Sequence, residues 1–154
     1  MIMLINMSLE KKISQDIKEA MLTKNTVRLE VCRAIKAAIL LAKTEKGLDV
    51  LDSGKELQIL QKLFKQRNES KKIYLTQNRV DLAKNEEDQA LIISEYLPKP
   101  YTEKELEDLI DKEMLDLGIT SKKDMGRLIS IIMQKSQGRA DGQTISSIIK
   151  NKLN

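Results

Sequence analysis

Three stretches of this 154-residue chain hold side chains that could do chemistry. Glu86-Glu87-Asp88 offers a carboxylate pair of the kind that exchanges protons or holds Mg²⁺, but such work needs convergent partners that no other stretch supplies. Carboxylates near a helix start also suit its macrodipole without any reaction. Cys32 is the lone thiol, and its apolar surroundings suggest a small buried residue. The third stretch, Lys122 to Gly142, reads as a basic amphipathic helix followed by the turn Gly138-Arg139-Ala140-Asp141-Gly142. In that turn Gly138 supplies a left-handed stop and Asp141 caps the helix that follows, while Arg139 beside a helix start could meet a phosphate.

The larger catalytic patterns are missing. The chain has no His, which removes Ser-His-Asp and Cys-His arrangements, and it contains neither G-x-x-x-x-G-K-[ST] nor G-x-G-x-x-G. A single Cys without His leaves no intrachain disulfide and no zinc site of the usual ligands. The residues point to no catalytic group, no metal and no cofactor. Charge is more informative than these motifs. Residues 1–80 carry 16 basic and 9 acidic side chains, 81–118 carry 4 and 12, and 119–154 carry 7 and 2. A basic front and a basic tail suit a polyanionic partner, and an acidic middle can brace them.

The elements that must position these groups are helices. Aromatics make up 3% of the chain and Trp is absent, so Leu, Ile, Val, Ala and Met must build the core, a palette that favours an all-α fold. Ser8 caps a first helix with Leu9, Ile13, Ile17, Ala20 and Met21 on one stripe, ending near Lys24. A second runs from about Thr26 to Lys46, stopped by Gly47, and packs on the first as a hairpin. A third is anchored by Leu57, Leu60 and Phe64, but its stripe fails from Lys65 to Lys72. There it either meets solvent or sets Arg67 and Glu69 against Glu30 or Arg33. A fourth spans about Val80 to Leu97, until Pro98 and Pro100 end it.

Thr102 and Glu105 form a capping-box signature for a fifth helix, with Leu106, Leu109, Ile110, Met114 and Leu117 inward and Gly118 as its stop. Ser121 and Asp124 suggest caps for a sixth, which buries Met125, Leu128, Ile129, Ile132 and Met133 and turns Lys123, Arg127, Ile131 and Gln134 outward. A seventh buries Ile145, Ile148, Ile149 and Leu153, with Lys150 and Asn151 outside. The expected organisation is an N-terminal domain of about four helices over 7–97, a proline linker at 98–101 and a three-helix bundle over 102–154. Residues 1–6 are apolar but short, without the basic leader of a signal peptide or the length of a membrane span. They read as an upstream-start extension, poorly ordered or of marginal packing, and the chain as cytoplasmic.

Several local sequences, in order, resemble the YqeY family: Val27-Arg28-Leu29, Ile35-Lys36-Ala37-Ala38-Ile39, Lys65-Gln66-Arg67 with Glu69-Ser70, Glu95-Tyr96-Leu97-Pro98, Lys123-Asp124-Met125-Gly126 and Gly138-Arg139-Ala140-Asp141-Gly142. The last fifty or so residues also resemble the tail domain of GatB, a subunit of the glutamine-dependent amidotransferase acting on misacylated Glu-tRNA or Asp-tRNA. That resemblance implies a tRNA-facing module and a possible protein partner from the aminoacylation or amidation machinery. A carbon-nitrogen ligase label, with glutamine as amido-N-donor, would be inherited from the tail alone, because GatB's kinase cradle and the amidase centre have no counterpart here. The implied phosphate contacts are Lys122, Lys123, Arg127, Lys135, Arg139 and Lys150, with Lys36, Lys65 and Arg67 as a second patch. The alternative is a helical adaptor for another protein, suggested by an outward Ile131 and the acidic middle helices.

Overall fold

A computed structural model describes residues 8–154, which form seven α-helices and one 3-10 turn, with no strand among the described residues. The helices are α1 (Leu9–Leu22), α2 (Thr26–Lys46), α3 (Ser53–Thr76), α4 (Val80–Ser94), α5 (Glu103–Leu117), α6 (Met125–Ser136) and α7 (Gly142–Leu153), and the turn Lys122–Asp124 precedes α6. The fold is all-α. Residues 1–6, read from sequence as an extension, lie outside the described residues. No helix among the described residues is long and apolar enough to cross a membrane.

The contacts divide the chain into two compact units between Leu97 and Pro98. In the first, α1 pairs with α2 and α3 with α4, around Ile13, Val31, Cys32, Ile35, Ile39, Leu60 and Ile93. Ile13, Cys32 and Ile35 are wholly buried. Each such isoleucine contributes about 1.5–3 kcal/mol relative to exposure, which is why the i, i+4 stripe of α2 fixes that helix's orientation. In the second unit Leu106, Ile110, Leu128, Ile132, Ile145 and Ile149 form a separate core among α5, α6 and α7.

Most helix ends follow the expected chemistry. Ser8, Asn25, Asp52, Thr102 and Asp141 each accept a backbone N–H three residues on, and Thr102 with Glu105 completes the capping box. The sixth helix departs from expectation. Neither Ser121 nor Asp124 makes a side-chain cap; the chain instead enters α6 through the 3-10 turn. The fourth helix ends at Ser94, three residues before the expected Leu97, because Tyr96 and Leu97 donate back to Ile93 and Ser94 in tight turns.

Some inward and outward assignments also change. Met21, Leu117 and Met133 are exposed rather than buried, and Ile131 is half-buried rather than outward. Ile119, just past the Gly118 stop, takes the core place expected of Leu117. The failing stripe of α3 is answered by α4 and not by α2. Arg67 Nε donates to Gln89 Oε1 at 2.7 Å and lies 4.0 Å from Glu86, while Glu69 faces Lys65 on its own helix. Lys71 meets Glu87 at 3.4 Å, so two of the acids first read as dipole partners mainly neutralise α3.

Candidate nucleic-acid interface

The cations after residue 118 fall into two sets. Lys135 donates to Glu113, a carboxylate 5% exposed on the inner side of α5. Lys152 pairs with Asp111 at 2.8 Å. Arg139 lies over the Tyr101 ring, 3.8 Å from its centroid, with Nε donating to the Lys99 carbonyl at 2.8 Å and Nη2 3.9 Å from Glu105. Its own carbonyl accepts the Tyr101 N–H at 2.8 Å. A planar guanidinium stacked and forked in this way is a brace. Lys122, Lys123, Arg127 and Lys150 form the other set. All four are exposed, and among the described residues only Arg127 has an ionic partner, Asp124 at 3.8 Å.

The turn before α7 has steric reasons for its glycines. Gln137 and Gly138 both adopt positive φ, 49° and 80°, so the left-handed stop spans two residues rather than Gly138 alone. A Cβ on Gly142 would stand 3.1 Å from Met133 Sδ, so glycine lets α7 start close against α6. Asp141 accepts the Thr144 N–H at 2.7 Å and the Thr144 hydroxyl at 3.1 Å. Its carboxylate is therefore committed to the helix start. The capping bond from Thr102, with Arg139 adding a smaller attraction, holds the Glu105 carboxyl below its ordinary range.

The residues of the second expected patch do not act alike. Lys65 is exposed on α3, Arg67 turns to Gln89 and Glu86, and Lys36 is half-buried on α2.

The first unit also holds a polar knot that the residue-by-residue reading missed. Tyr96 Oη donates to Asp16 and lies 3.4 Å from Cys32 Sγ, while Arg28 Nη1 meets Glu95 at 2.7 Å. Because the phenol has one proton and gives it to the carboxylate, the thiol donates to the phenol oxygen. Burial first, and then the bond to Asp16, pushes the Tyr96 phenol well above its ordinary range. Burial likewise raises the Cys32 thiol, and the bond to Glu95 raises the Arg28 guanidinium. Lys12, Asp16, Arg28, Glu95 and Tyr96 line a shallow cleft of about 310 Å³ above this knot. A wholly enclosed thiol kept protonated is a poor nucleophile, so the cleft's chemistry is ion pairing and hydrogen bonding. The signal was present in Val27-Arg28-Leu29 and Glu95-Tyr96-Leu97-Pro98, which the fold brings together across 67 positions at Arg28 and Glu95.

A model of the Yqey-like protein family matches residues 10–153, nearly the whole chain. The chain belongs to the YqeY family. No curated protein matches it. In this YqeY protein, Arg28 and Glu95 meet inside one unit, while Arg139 and Asp141 brace the turn of the other.

Proposed function

We propose that this YqeY protein is a cytoplasmic accessory module that binds tRNA in connection with tRNA-dependent amidation or aminoacylation, with no reaction of its own. The observation that carries this reading is the exposed cation set Lys122, Lys123, Arg127 and Lys150, left over after Lys135, Arg139 and Lys152 have found partners in their own unit. Exposed lysines that no carboxylate neutralises, and an Arg127 held only by a solvent-exposed pair with Asp124, release counterions when they meet phosphate, which drives binding. Gly126 adds support. It lies between Lys123 and Arg127, and a Cβ there would meet nothing within 4 Å, so the chain's own packing does not call for glycine. The bare step leaves room for a phosphate to approach both cations. The likeness of the tail to GatB's, noted from sequence, makes tRNA the RNA to test.

Engagement of four phosphates gives a slope of about −3 to −4 for log affinity against log salt. A fluorescence titration of labelled total tRNA between 50 and 200 mM salt reads it, with Lys123→Glu/Arg127→Glu as the weakened variant. A flat slope, or unchanged affinity in that variant, refutes the assignment. The adaptor reading loses its outward Ile131 but gains exposed Leu40 and Leu41 on α2. It calls for a salt-tolerant protein complex that survives RNase treatment.

A further inference from the structure

The third helix sorts its cations by face. Arg67 and Lys71 turn inward to Gln89, Glu86 and Glu87 of α4. Lys62, Lys65 and Lys72 are exposed, and their only ion pair among the described residues is Lys65 with Glu69 at 3.8 Å, both side chains more than half exposed. Such a solvent pair holds its lysine weakly. At 3.6 residues per turn the three lysines fall within a sector of about 80° and extend along about 15 Å of the helix. Gln58, Glu69 and Thr76 share that sector, and Glu69 is its one acid.

This sorting has an electrostatic cause. The acids of α4 neutralise the inner cations, so the outer row keeps its charge toward solvent. A lysine is a compact charge on a flexible stem, and a row of them can follow phosphates without demanding a planar fork. Resting on the RNA-binding reading above, we infer that Lys62, Lys65 and Lys72 form a second contact for the phosphate backbone of a structured RNA, made by the first unit. Charge complementarity commits this face to a polyanion.

The test uses the full chain and labelled total tRNA over the same salt range. With seven phosphates engaged, the wild-type slope steepens to about −5 to −6. Lys62→Gln/Lys65→Gln/Lys72→Gln should make it shallower by about 2 to 3 at an unchanged thermal midpoint, because glutamine keeps good helix propensity at exposed positions. If this variant keeps the wild-type slope while Lys123→Glu/Arg127→Glu weakens binding, the α3 row faces solvent or an acidic protein, and this inference alone falls. If the α3 variant weakens binding and the Lys123/Arg127 variant does not, the inference stands and the C-terminal site falls. Wild-type protein that does not bind tRNA defeats both.

Discussion

A polar cluster in each unit is built in its own way, and the first unit also sets Arg67 against the buried Gln89 and against Glu86. The first closes over a thiol and a phenol, Cys32 and Tyr96, both held in their protonated forms, with Asp16 as the acceptor. The second closes over a full charge, the Glu113 carboxylate, answered by Lys135, and stacks Arg139 on Tyr101. The contrast shows why counting basic residues overstates the charge left free at a surface. Lys135 and Arg139 are as cationic as Lys123, but their charge already has work inside the fold.

The largest effect that sharpens this contrast is expected at the charged pair. Lys135→Met leaves Glu113 buried without its partner and should cost about 2 to 3 kcal/mol in urea unfolding, with the half-exposed lysine keeping the loss below that of a fully buried pair. Adding Glu113→Met should restore most of it; a double variant as unstable as the single would show that the pair is not the cause. Next comes Tyr96→Phe, which strands the Cys32 thiol and removes a donor from Asp16. About 1 kcal/mol should be lost, and a thermal midpoint identical to wild type would mean that the knot contributes nothing.

The smallest effect is a pH dependence. The folded value of Cys32 lies above its ordinary value of 9.0, so its contribution to stability is complete below that pH and declines as pH rises toward the folded value. Tyr96 acts in the same direction from its ordinary 10.0 upward. Unfolding followed from pH 8 to 10.5 should show this decline, and Cys32→Ala should delay its onset. Equal slopes in the two proteins would remove the thiol from the account.

Much of this fold was legible because its signals are local. Ile13, Ile35, Leu106 and Ile145 recur on helical stripes, and Ser8, Thr102 and Asp141 stand where caps belong. What could not be read depends on which helix lies across the way. Sequence leaves Arg67 between solvent and α2 because it does not say that α3 pairs along its length with α4, where Gln89 waits. Met133 and Ile131 exchanged roles because both lie near the edge of the α6 stripe. Glu113 left a trace that went unused: it stands three residues from Ile110 and seven from Leu106, a carboxylate on an apolar face. The candidate site was legible as a list of cations and not as a surface, since partners such as Glu113, Tyr101 and Asp111 come from another helix or from the segment ahead of one.

The tyrosines on either side of the proline pair have one more consequence. Tyr96 is tied to Asp16 and Cys32, and Tyr101 to Arg139, whose guanidinium also holds the Lys99 carbonyl. Leu97 packs on the first core. Pro98 thus lies where the ties of one unit end and those of the other begin. A backbone severed there would leave each tyrosine in the same piece as the residues that hold it, so the gene carries a natural seam at a single codon.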